Sequence, residues 1–251
     1  MTRQERDTPE AASGAREQMD VTAAAAFFAR VSRDLMEGAA DATTMQRIAE
    51  RAVQVVPGCD HGSISLKRRR HRVESVGATS SLAEKCDVLQ HELEEGPCLE
   101  AVWTSETYLI EDTATEARWP RWSPPVAAQG IGSVLAVRLT TRSETLGALN
   151  LYAEPTHGFT AHDVDLASIY ALHATNAMNA ALTVEGLHTA VTSRHLIGVA
   201  QGILMQNYSL DMDQAFEVLR RYSSHKNIKL REVAEHVVAL GDLPERAALE
   251  D

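Results

Sequence analysis

Leu166, Tyr170, His173, Ala177, Ala180, Val184, Leu187 and Val191 recur at alternating spacings of four and three. Seven of the eight are apolar, and a repeat of about 3.5 residues is the seam of a left-handed coiled coil. A strand cannot use that period, so the stretch is committed to one long helix. Thr160 supplies its N-cap, and Asp163 places a carboxylate at the positive end of the helix dipole. The seam predicts a partner helix and therefore a homodimer; the alternative is that the first half packs on its own sheet and only the second half is free. His173 reads as a polar position tolerated within it. Residues 181–192 read as a linker helix continuous with 161–180.

The chain before this helix changes period. Two helical patterns, Thr22 to Glu37 and Thr43 to Val56, end at Pro57-Gly58, a pair that punctuates helices strongly. "HGSISLKRRRHRVESVGA" then alternates as two strands around a basic turn at Arg68 to His71, which reads as a solvated hairpin tip. A helix or loop follows, then a Gly96-Pro97 turn, a short helix through Ala101 and a strand at Thr107 to Glu111. Ser133 to Thr140 and Thr145 to Ala153 form two further strands joined by a short polar turn. Helices, hairpins and a closing helix imply an α+β fold, an antiparallel sheet covered by helices.

Composition narrows the function. With 44% hydrophobic and 24% charged residues in 251, the chain buries a proper core. The longest early apolar run, Ala23 to Phe28, falls far short of the roughly 20 residues a membrane span needs. Residues 1–20 lack the apolar middle of a signal peptide and read as a disordered arm, so a cytoplasmic location is expected. Cys59, Cys86 and Cys98 are odd in number and widely spaced, which fits reduced thiols and suggests neither a disulfide framework nor a zinc site. The net charge of -11 opposes nonspecific wrapping of nucleic acid by the whole protein. Residues 193–240, however, carry six basic and five acidic side chains, a net +1, while 1–192 carry -9 and the acidic tail 241–251 carries -3. Any nucleic-acid site in that module must depend on a clustered face.

"HELEEGPCLEAV", "IEDTATEARWPRW", "GSVLAVRLTTRSETLGALNLYAE" and "GFTAHDVDLASIYA" resemble a GAF domain of the actinobacterial type, over residues 21–180. The resemblance implies an antiparallel sheet flanked by helices, often with a ligand pocket on one face. It names no cofactor, and the signal stays open between a small molecule and a redox event.

Beyond the seam, Leu196, Ile197, Val199, Ala200, Ile203, Leu204 and Met205 form an apolar face wide enough to meet two neighbours. Gly202 costs about 1 kcal/mol in a helix interior and so predicts a close approach. The helix breaks at Asn207-Tyr208-Ser209. Asp211 with Gln214 reads as a capping box opening a second helix, with Met212, Ala215, Phe216, Leu219 and Tyr222 on its buried stripe. A third helix carries Leu230, Val233, Ala234, Val237 and Leu240 and closes at Gly241. Three short amphipathic helices make a small bundle.

The stretches "RHLIGVAQGILMQ" and "DMDQAFEVLRRYSSHKNIKLREVAEHVV" resemble the ANTAR domain, over residues 193–240. That is an all-α three-helix RNA-binding module of transcription antitermination regulators. The resemblance implies binding to paired RNA hairpins in leader transcripts, holding them so that a terminator cannot form. It places the RNA contacts on Arg194, Gln201, Arg220, Arg221, Lys226, Asn227 and Lys229. The cations suit phosphate, while Gln201 and Asn227 suit base edges or the turn itself. Where this chain has Gln201 the family often has lysine.

Two other classes compete. Three short helices also describe a helix-turn-helix for duplex DNA, but the third helix presents only Arg231, Glu232, Glu235 and His236 outward. Some GAF folds reduce methionine sulfoxide through cysteines; here "EEGPCLE" surrounds Cys98 with carboxylates, which raises a thiol pKa. No enzyme is expected.

Overall fold

A computed structural model describes residues 9–37, 43–68, 72–104 and 107–243. The chain divides into two compact units, 1–182 and 183–251.

The first unit is built on five strands, β1 (His61–Lys67), β2 (Val73–Ala78), β3 (Tyr108–Ile110), β4 (Ser133–Thr140) and β5 (Thr145–Ala153). Their order is β2-β1-β5-β4-β3, with every pairing antiparallel. Local hairpins give β1·β2 and β4·β5, while the central β1·β5 pair joins segments far apart in sequence. Gly147 permits that pair, because a Cβ there would collide with the Ser65 carbonyl.

Alternation along the strands creates two cores. On one face Ile64, Leu66, Leu135, Val137, Leu139, Leu149 and Leu151 meet α1 (Pro9–Met36), α2 (Thr44–Val55) and the first half of α6 (Ala161–Tyr208). On the other, Val134, Ala136, Ala148 and Tyr152 meet α3 (Ser81–Leu93), α4 (Pro97–Thr104), α5 (Ser123–Ala128) and the fully buried Trp119 and Trp122. The predicted bounds of β4 and β5 match. The hairpin tip at 69–71 lies outside the described residues, and Arg68 beside it pairs with Glu74 at 2.6 Å.

Two expectations change, and one helix appears where no element was expected. Helix α1 begins at Pro9, inside the segment read as a disordered arm, with Pro at its first position followed by Glu10, Ala11 and Ala12, a favourable helix start. Helix α5 falls on "SPPVAA", where the prolines occupy the first turn and so cost no hydrogen bond. The second change concerns the seam. Tyr170 and Ala177 are fully buried within the first unit, the Tyr170 hydroxyl donating to the Ile48 carbonyl at 2.7 Å. His173 stacks on Phe28 with centroids 5.6 Å apart, and Leu166 packs against the same core. Tyr170 and Ala177 are thus used up by their own chain, while Leu166 and His173 are half-buried against it. Leu187 and Val191, at 60% and 67% exposure, remain open.

The second unit comprises the end of α6, α7 (Met212–Lys226) and α8 (Leu230–Leu240) around Ala200, Leu204, Ala215, Leu219, Val233, Ala234 and Val237. Asp211 and Gln214 form the expected capping box on α7. The Tyr208 hydroxyl donates to Asp242 at 2.6 Å, and the Asn207 amide donates to the Gly241 carbonyl at 2.8 Å, so the end of α6 is tied to the end of α8.

Candidate functional site

All seven predicted contact residues lie in the second unit, on more than one side of it. Arg194 is exposed on α6. Gln201, seven residues on and so on the same side of the helix, donates its amide to the Met212 carbonyl at 3.1 Å. It is a tether between α6 and the start of α7. Arg220 is exposed and held by Glu217 through two hydrogen bonds, 3.0 Å from Nε and 2.6 Å from Nη2. That pairing holds the Glu217 carboxyl below and the Arg220 guanidinium above their ordinary values. Arg221 is also exposed, but consecutive helical residues diverge by about 100°, so the two arginines face different directions.

Lys226, Asn227 and Lys229 gather at the α7–α8 turn. Asn227 has φ +53° and ends α7 in the left-handed region, which gives it the turn role that the sequence offered beside a base contact. Lys229 is the N-terminal boundary of α8, its ammonium 3.8 Å from Glu232, and Arg231 pairs with Glu235 at 2.7 Å. Three of the module's cations are therefore matched by a carboxylate one turn away. Exposed pairs of this kind are screened by solvent and contribute little to stability.

Two readings of the bundle are corrected. A Cβ on Gly202 would meet nothing within 4 Å, so among the described residues none approaches it closely. Phe216 is 36% exposed and Met212 64% exposed, both outside the apolar cluster that contains Ala215 and Leu219. The helical stripe was correctly placed, but only its centre is covered.

In the first unit the motifs have structural work. The Glu95 carboxylate accepts from the backbone N–H of Arg121 at 2.6 Å and of Trp122 at 3.2 Å, and from Arg121 Nε at 2.9 Å. Gln90 Oε1 accepts from the Cys98 N–H at 2.8 Å. "EGPC" and "RWPRW" are thus two halves of one clasp. Beneath it, the buried Asp87 carboxyl accepts from the Tyr152 hydroxyl at 2.6 Å, the Ser75 hydroxyl at 2.7 Å and the Asn150 amide at 3.1 Å. Burial raises the Asp87 pKa against the lowering effect of these donors. The same burial pushes all three cysteine thiols up to about 12, so none is a thiolate at neutral pH. A cleft of about 550 Å³ opens nearby, lined by Arg72, Val73, His91, Leu99, Glu100 and Trp103 among others. Among the described residues no cluster of His, Cys, Asp and Glu suits a metal ion, and no helix is long and apolar enough to cross a membrane.

The five-stranded antiparallel sheet between helical layers, with a three-helix module after it, defines a sensory domain joined to an output domain. The chain belongs to the GAF domain family, whose model matches residues 40–179, and the ANTAR domain model matches residues 185–238. These are the domains of a family of signal-sensing, RNA-binding antitermination regulators. No match is found among curated proteins. Among solved structures, the chain is similar to a bacteriophytochrome from R. palustris, at 12% identity over 71% of this chain and 42% of that one, with a TM-score of 0.50. It is also similar to free methionine-R-sulfoxide reductase from Neisseria meningitidis, at 15% identity over 63% and 92% of the two chains, with a TM-score of 0.47. Likenesses at such identities establish the fold alone.

Proposed function

We propose that this protein is a signal-responsive antiterminator whose second unit holds paired RNA hairpins in leader transcripts. The observation that carries the reading is the ANTAR match over a complete three-helix bundle that places exposed cations on α6, α7 and the α7–α8 turn. Arg194, Arg220, Arg221, Lys226 and Lys229 contact phosphate, and Gln201 and Asn227 hold the surfaces between them. Buried thiols with raised pKa values support a regulatory protein over a cysteine-based enzyme. The signal acts on the first unit, where the cleft beside Trp103 falls within the size range of small-ligand sites.

Two copies associate through the exposed part of α6 at Leu187 and Val191, which presents two output modules to one RNA. Crosslinking in cells followed by sequencing tests the reading. Recovered RNAs should be leader segments with tandem hairpins upstream of terminators. Recovery of duplex DNA, or of RNA without hairpin pairs, overturns it.

A further inference from the structure

The bundle of the second unit closes its core without Phe216. Seven residues from all three helices are buried, with Leu196, Ile197, Val218 and Tyr222 packed around them, while Phe216 and Met212 lie outside. Phe216 keeps 36% of its surface exposed, so part of the ring stays in water and forfeits part of the roughly 1.5–3 kcal/mol that full burial of such a side chain contributes. On α7, Met212, Phe216 and Arg220 follow one another at four-residue spacing and so form one row.

Beside that row lies one side of α6. The Gln201 amide sits on the Met212 carbonyl at 3.1 Å, and Arg194 lies two turns back from Gln201 on the same side. Gly198 and Gly202 leave the helix open there, since a Cβ on either meets nothing within 4 Å. The two rows contain two guanidinium groups, an amide, a thioether and an aromatic ring, with no carboxylate. Two acids flank the row on α7: Glu217, which is bound to Arg220, and the exposed Asp213 three residues before Phe216. An exposed ring between cations is complementary to a polyanion with planar bases. Single-stranded RNA loops are read in that way, by stacking on aromatic side chains with phosphates held alongside.

We propose that Phe216 is a base-stacking platform for an unpaired loop nucleotide, a role that rests on the RNA-binding reading above. Stacking contributes affinity without releasing counterions, which separates it from the arginines. Phe216→Leu keeps apolar bulk and removes the π face; Phe216→Tyr keeps both.

The test uses the full chain and a synthetic RNA of two hairpins with 2-aminopurine in one loop. With thermal unfolding unchanged, Phe216→Leu should weaken binding between about 5- and 100-fold. It should also abolish the quenching of 2-aminopurine and leave the salt slope as in the wild type, while Phe216→Tyr binds normally. The proposal is overturned if Phe216→Leu binds as tightly as the wild type. It is equally overturned if that variant loses affinity only by becoming monomeric in sedimentation, which would assign the patch to a second copy. If the wild type ignores the RNA altogether, the RNA-binding reading fails first and the stacking role with it.

Discussion

Asp87 and the three cysteines show how far a residue's surroundings decide its chemistry. Burial pushes each thiol up to about 12. Native protein should therefore leave Ellman's reagent unreacted at pH 8 on the timescale in which urea-unfolded protein releases three equivalents; rapid native reaction at Cys98 would contradict the buried assignment. Asp87 titrates with the opposite consequence for stability from that of a paired surface carboxylate. Its folded pKa lies above its unfolded one, so the folded state binds the proton more tightly. Stability is fully present below the unfolded value and is lost as pH rises through the folded one. Asp87→Asn removes that titration. Its urea midpoint should vary less with pH than the wild type across the window above the ordinary carboxylate value, and identical pH profiles would exclude the mechanism. A raised Cys98 thiol was expected from "EEGPCLE", but its causes are burial and then Asp87, not the neighbouring glutamates; Asp87 was not legible, because its partners Tyr152 and Asn150 are more than sixty residues away.

Elements were legible where local chemistry decides them. Alternation and a polar turn suffice for β4 and β5, and a capping box suffices for the start of α7. The β1·β5 pairing is nonlocal, and periodicity alone carries no information on it. Helix α6 illustrates the same limit within one element, because a 3.5-residue repeat serves a partner helix and a helix's own sheet equally well. Tyr170 and Ala177 serve the sheet. If Leu187 and Val191 serve a partner, Leu187→Asn/Val191→Asn should convert a dimer to a monomer in sedimentation equilibrium without lowering the unfolding temperature of the first unit. A dimer that persists at micromolar concentration would place the interface elsewhere. Phe216 was misread for a related reason. A helical stripe gives the centre of a buried face but not its width, which depends on how many neighbours flank it.

At the scale of the whole molecule, an acidic chain carries a small output module of nearly balanced charge, three of whose cations are held by neighbouring glutamates. On the proposed function, such a module should bind duplex DNA weakly and draw its affinity from the shape and loops of an RNA that engages several cations at once. The central claim is that this module selects hairpin RNA. Competition anisotropy with the full chain, a labelled two-hairpin RNA and a salt series measures it directly, comparing the wild type with Arg220→Ala/Arg221→Ala. The account predicts that unlabelled RNA competes at least about tenfold better than duplex DNA of equal length, and that the double variant loses affinity with a salt slope smaller by about one to two. Equal competition by DNA, or an unchanged affinity and slope in the variant, would contradict it.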